Sequence, residues 1–215
     1  MKKVLAYCGA FNPPTNAHVN LAELALKETG REQVVFVPSK AEYIVDEQKK
    51  EYAYEDALRL NMLEDLALTR PWMHICRHDM EGETQPRTYE TLCWLKEQGY
   101  DPALLIGSDV LESMEREWKN ADKIAQEFGI VCLTRSTLQL PDAYQDDAFL
   151  APLLPRITFV HSPEEYLLKS STGARYQYDQ SIRYWEGLCD IVPPEVAAYL
   201  LKDFVDILLG GSHEA

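Results

Sequence analysis

Basic residues are scarce in this chain. Its 215 residues include 21 Lys and Arg against 35 Asp and Glu, a formal net charge of -14 at pH 7. Nucleic acids and anionic membranes require clustered positive charge, so neither is expected as a partner. No apolar stretch approaches the ~18 residues of a membrane span, and the opening MKKVLAYCGAF has too short an apolar run for a signal peptide. The five cysteines, Cys8, Cys76, Cys93, Cys132 and Cys189, are scattered without a C-x-x-C pair. That argues against a zinc ribbon or a dithiol redox motif. No internal repeat, low-complexity tract or linker divides the sequence. The expectation is one cytoplasmic domain over residues 1–209 with a disordered tail at 210–215, a homo-oligomer being left open.

What is present is an alternation of strand and helix patterns. Val4–Cys8, Gln33–Pro38, Trp72–Arg77, Ala103–Ile106, Ile130–Thr134 and Ile157–His161 read as strands. Cys8, Cys76 and Cys132 fall in these strands and are expected to be buried, reduced thiols. Helices are expected over His18–Thr29, Tyr54–Thr69, Thr88–Gln98, Trp118–Glu127, Thr172–Trp185 and Glu195–Leu208, with Gly30 ending the first and Thr88 capping the third. Ser39–Tyr52 and His78–Arg87 read as loops, and Ser136–Leu154 as a long proline-containing connection. Ala103-Leu104-Leu105-Ile106 is wholly apolar, as a strand buried on both faces must be. This pattern predicts a Rossmann-like, doubly wound α/β fold: a mainly parallel sheet with helices on both faces.

The first strand carries the most informative stretch. It runs into Gly9, a turn with two prolines, and a helix that begins near Thr15, Asn16 and His18. In an open α/β sheet, the carboxyl end of the first strand facing a helix N-terminus is where phosphates bind. Gly9 allows close backbone approach, and His18 in the first helical turn can donate to a phosphoryl oxygen. A strand–turn–helix with a surface histidine is the bland alternative.

Gly9-Ala10-Phe11-Asn12-Pro13-Pro14-Thr15-Asn16-Ala17-His18 resembles the nucleotidylyltransferase signature G-x-F-[DN]-P-x-[HT]-x-x-H. Ser170-Ser171-Thr172-Gly173-Ala174-Arg175 resembles that superfamily's second motif, S-[ST]-T-x-x-R, in the right order along the chain. Together they resemble the nicotinate/nicotinamide mononucleotide adenylyltransferases. The resemblance implies transfer of AMP from ATP to nicotinate mononucleotide, giving deamido-NAD and diphosphate. Nicotinamide mononucleotide is the close alternative acceptor. Another nucleotidylyltransferase, acting for example on phosphopantetheine, and a non-catalytic nucleotide-binding regulator are the rivals.

The resemblance also assigns roles. His18, Thr15 and Arg175 would be catalytic, with Thr15 standing where bacterial members mostly have His. Gly9, Ala10, Phe11, Asn12, Gly107, Asp109, Ser171, Thr172 and Lys40 would bind ATP, Asp109 through its ribose. Thr88, Trp118, Lys119 and Arg135 would bind the mononucleotide, with Trp118 stacked on the pyridine. Each has a structural alternative: capping for Thr15, Ser171 and Thr172, an Asx turn for Asp109, core anchoring for Trp118. The family's Pro-His-Lys element is missing here, which leaves Lys40, Lys49 and Lys50 as substitutes. Mg²⁺ is expected on the ATP phosphates rather than on protein ligands.

Arg175→Ala is expected to raise the KM for ATP and lower kcat, because a charge-assisted contact to the triphosphate is lost. Arg175→Lys should recover only part, since lysine cannot pair bidentately. Unchanged ATP kinetics in both variants would reduce the second motif to a helix cap.

Overall fold

The computed structural model describes residues 1–134, 140–163, 166 and 190–208. Ser170, Ser171, Thr172, Arg175, Arg135, Cys189, the helix expected over Thr172–Trp185 and the expected tail lie outside the described residues. Strands β1 (Lys2–Gly9), β2 (Gln33–Pro38), β3 (Met73–Ile75), β4 (Tyr100–Gly107), β5 (Ile130–Thr134) and β6 (Ile157–His161) form one six-stranded sheet in the order β3-β2-β1-β4-β5-β6. Every neighbouring pair is parallel. The strand order therefore reverses between β1 and β4, the switch point at which such sheets bind ligands.

Parallel strands covered on both faces should be apolar throughout, and the central strands are. Alternate side chains feed two cores. Leu5, Val34, Phe36, Leu105 and Val131 face one side, against α1 (Asn16–Thr29), α3 (Asp56–Leu68) and α9 (Pro194–Leu208). Val4, Ala6, Val35, Leu104, Ile106 and Cys132 face the other, against α5 (Thr88–Glu97), α6 (Ser108–Glu117) and α7 (Ala121–Phe128). Each fully buried Leu, Ile or Val contributes roughly 1.5–3 kcal/mol.

Several local expectations are corrected. Residues 39–52 do not form a bare loop: α2 (Ala41–Asp46) seats Ile44 in the interior. Residues 78–87 open with the short α4 (His78–Glu81), and the 136–154 connection contains α8 (Leu140–Ala143) and a 3₁₀ turn that starts at Ala151. The polar run 108–117 is a helix, α6, because Leu111 and Met114 place an apolar edge under its glutamates. Trp118 accordingly ends α6 with extended backbone (φ -109°, ψ 123°) rather than starting the next helix, which begins at Ala121. Arg87, not Thr88, is the residue before the first turn of α5, and its N–H donates to Glu90 Oε2 at 2.8 Å. Cys76 lies just past β3 and is buried, as is Cys132, whereas Cys8 is half-buried.

Arg59 is the largest departure from a simple apolar interior. It occupies the buried stripe of α3 beside Met62, Leu63 and Leu66, with no exposed surface. Its guanidinium donates to the carbonyls of Tyr54 (3.0 Å), Ala10 (2.7 Å) and Ser39 (2.5 Å) and to Asp56 Oδ1 (2.5 Å). One side chain thus joins the turn after β1, the end of β2 and the start of α3. Among the described residues no helix is long and apolar enough to cross a membrane.

Arg59→Met should lower stability by about 3 kcal/mol or more, because buried carbonyls and Asp56 lose their donor. Arg59→Lys should recover only part, lacking the planar fork. A urea midpoint near the wild-type value in Arg59→Met would contradict this account.

Candidate active site

The β1–α1 turn is shaped by aromatic packing. Phe11 takes φ 43°, a left-handed backbone that costs roughly 1–2 kcal/mol in a residue with a side chain. Burial of its ring offsets that cost. The ring packs edge-on to Tyr7 at 5.3 Å and to His18 at 5.2 Å, and against Phe36 at 5.3 Å. It also lies directly over Gly9, where an added Cβ would come within 3.4 Å of it. The tight return of the chain over Gly9 leads the backbone to α1.

Thr15 caps α1 and orients His18 in the same step. Thr15 Oγ1 accepts from the His18 N–H at 3.3 Å, and His18 Nδ1 accepts from the Thr15 N–H at 3.0 Å. Nδ1 also lies 2.8 Å from Thr15 Oγ1. Because Nδ1 is the acceptor of a backbone N–H, the neutral ring carries its hydrogen on Nε2. His18 is half-buried in the first turn of a helix, where free N–H groups and the macrodipole favour anions. Thr15 itself is fully buried. Its hydroxyl engages His18 rather than standing at the surface, so the geometry gives Thr15 a positioning part. Asn12 is likewise turned inward. Its amide holds the Tyr52 carbonyl at 2.9 Å and the Tyr54 N–H at 2.8 Å, fixing the lead-in to α3.

A cavity of about 700 Å³ opens at the carboxyl edge of the sheet. Cys8, Gly9 and Ala10 form its β1 side, Arg87 and Thr88 its α5 side, and Trp118 and Lys119 the side beyond α6. The structure thus brings Gly9, Ala10, Thr88, Trp118 and Lys119 together around one space. Trp118 is half-buried and packs on the second core while facing the cavity. Lys49 and Lys50 also border it, whereas Lys40 does not. The Lys40 ammonium is held by the carbonyls of Gly82 and Glu83. Gly107 leads into α6, and Asp109 stands exposed in its first turn, at the end of the strand beside β1. Thr15, His18 and Asp109 do not line this cavity.

Two residues in the site escaped sequence reasoning. Arg59 could have been found as a charge inside an apolar helical stripe. Asp79, 3% exposed on the cavity wall, accepts from Thr91 Oγ1 at 2.8 Å, and burial raises its carboxyl to about 7. Nothing local in the polar run 78–87 marked it as buried. The C-terminal segment is anchored at its described ends to the same helix. Asn20 Nδ2 donates to Tyr166 OH at 2.9 Å, and the Asn16 N–H donates to the Ile191 carbonyl at 2.8 Å. Those two anchors bracket His18 along α1.

These features define a class, a doubly wound α/β protein with an open cavity at the carboxyl edge of its sheet, beside the switch between β1 and β4. The cytidylyltransferase-like family model matches residues 6–175, and the chain belongs to that family. A probable nicotinate-nucleotide adenylyltransferase of Lactiplantibacillus plantarum is 26% identical over 194 residues, covering 89% of this chain and 82% of that protein. The nicotinate-nucleotide adenylyltransferase of Bacillus subtilis is 24% identical over 203 residues, covering 93% and 96%. Among solved structures, the Plasmodium falciparum nicotinic acid mononucleotide adenylyltransferase complexed with NaAD superposes with a TM-score of 0.73 at 19% identity, covering 94% of this chain and 96% of that one. That likeness shows a shared fold.

Thr15→Ala removes the cap hydroxyl and should lower stability by about 1 kcal/mol. Urea unfolding measures it, and a midpoint equal to the wild type would contradict the cap.

Proposed function

We propose that this chain transfers AMP from ATP to nicotinate mononucleotide, releasing diphosphate and forming deamido-NAD. The observation that carries the reading is the Thr15–His18 pair, which presents an Nε2 donor at a helix N-terminus beside the Gly9 turn. Adenylyl transfer asks little covalent work of a protein. It needs aligned phosphates and donors for the charge that develops on their oxygens. The phosphate oxygen of the mononucleotide attacks the α-phosphorus in line, and diphosphate leaves from the opposite side. His18 Nε2–H donates to an oxygen of the ATP phosphates, with the N–H groups of the Gly9–Ala10 turn beside it. Names of the curated relatives support this choice of donor and acceptor.

The remaining roles follow the cavity. Trp118 stacks on the pyridine ring, and N–H groups near Thr88 and Lys119 meet its substituent. Asp109 accepts from a ribose of ATP. Arg175, Ser171 and Thr172 of the second motif bind the triphosphate. Arg135 follows β5 and meets the mononucleotide phosphate. Lys49 and Lys50 border the cavity and offer the positive charge that the absent Pro-His-Lys element would supply, whereas Lys40 is engaged elsewhere. Mg²⁺ enters with ATP as part of the substrate and offsets charge on the triphosphate. The reaction is placed in the cytoplasm.

The purified protein should convert ATP and nicotinate mononucleotide to deamido-NAD and diphosphate, and should not adenylylate phosphopantetheine. His18→Ala should keep its circular-dichroism spectrum and lose ~10²–10³ in turnover, as when one preorganised donor is removed. Near-normal turnover in that variant would overturn the assignment.

A further inference from the structure

The cavity wall holds one acidic side chain that the phosphate chemistry leaves unused. Asp79 is buried in α4 and lines the cavity together with Thr88, Trp118 and Lys119. Its position is built rather than incidental. Thr91 is 0% exposed and donates to Asp79 Oδ1 at 2.8 Å. Thr91 follows Thr88 by one turn of α5, so the two threonines share a face of that helix. The carboxyl is therefore held by a residue one helical turn along α5 from Thr88, whose N–H is assigned to the ring substituent, and Asp79 and Thr88 line the same cavity. Among the described residues no basic side chain forms an ion pair with it.

We propose that Asp79 reads the substituent on the acceptor's pyridine ring and thereby sets the choice between nicotinate and nicotinamide mononucleotide. The inference rests on the adenylyl-transfer reading above. A protonated Asp79 donates its O–H to the nicotinate carboxylate. An ionised Asp79 repels that carboxylate and accepts instead from the carboxamide N–H. The two acceptors differ only in this group, so one proton on the cavity wall selects between them.

Burial holds the Asp79 carboxyl up at about 7, with the Thr91 hydrogen bond acting in the opposite direction. The thiols nearest it, Cys8 on β1 and Cys76 after β3, are themselves pushed up by burial and stay neutral through this range. His78 and Glu81 belong to its own helix. Around the cavity stand the cations Lys49, Lys50, Arg87 and Lys119 and the anions Glu47 and Glu117. Below pH 7 the neutral carboxyl therefore favours nicotinate mononucleotide. Above it, the ionised form shifts the preference towards nicotinamide mononucleotide.

The test is one-pot competition between the two mononucleotides at saturating ATP, with deamido-NAD and NAD quantified from pH 6 to pH 8. Titrations common to both acceptors, those of their phosphates included, cancel in the product ratio. The ratio of deamido-NAD to NAD should fall roughly a hundredfold across that interval, as the ratio of protonated to ionised carboxyl does for a group titrating at about 7. Asp79→Asn, which keeps a partner for Thr91 and cannot ionise, should abolish the slope and hold the ratio above the wild-type value at pH 8. A flat wild-type ratio, or a slope that survives in Asp79→Asn, overturns the proposal. The wild-type profile decides alone if the variant does not fold. Formation of neither dinucleotide would instead overturn the adenylyl-transfer reading, and this inference with it.

Discussion

A single buried guanidinium organises the end of this molecule where the chemistry is placed. Arg59 holds the carbonyls of Ala10, Ser39 and Tyr54, which lie just after β1, just after β2 and just before α3. Carbonyls at the ends of parallel strands have no partner in the sheet, and a buried one must find a donor. Arginine supplies several donors in one plane, with Asp56 balancing its charge. The turn after β1 is therefore fixed from below by an ion and from above by the Phe11 ring. Backbone with a strained φ can persist at a functional turn only when its surroundings over-determine it.

The same economy operates at the start of α1. One threonine ends the turn, caps the helix and sets the tautomer of His18. A donor oriented by the backbone requires no reorganisation when charge develops on a phosphate, which is the condition for efficient electrostatic stabilisation. The chain's net charge of -14 makes such local arrangements necessary. Long-range attraction does not bring a polyphosphate here, so helix N-termini, backbone N–H groups and a few cations must hold it.

Much of this was legible in the sequence. The strands of a buried parallel sheet are continuous apolar runs, and the turn after the first carries a spaced signature, so the fold, the Gly9 turn and His18 could all be read. Features set by tertiary context were not. The sequence pattern assigns no element to 108–117, where Leu111 and Met114 supply the apolar edge on which the helix packs. Trp118 looked like a helix start because an aromatic followed by charges begins an amphipathic pattern equally well. Lys40 was attractive by its place after β2, yet its ammonium turns to Gly82 and Glu83. Asp79 and Arg59 are polar residues whose burial depends on partners distant in sequence, Thr91 in one case and three carbonyls in the other. The part of Asn12 inside the protein is likewise invisible to a motif that records only its identity.

The central claim is spatial: the β1–α1 junction receives the phosphates, and the cavity between α5 and Trp118 receives the pyridine. A crystal structure of the protein with deamido-NAD bound tests it most directly. The account predicts the phosphates within hydrogen-bond distance of His18 Nε2 and of the Gly9–Ala10 backbone, with the pyridine ring on Trp118 beside the first turn of α5. A dinucleotide bound away from the β1–β4 switch point, or reversed so that adenine occupies the Trp118 side, would contradict it.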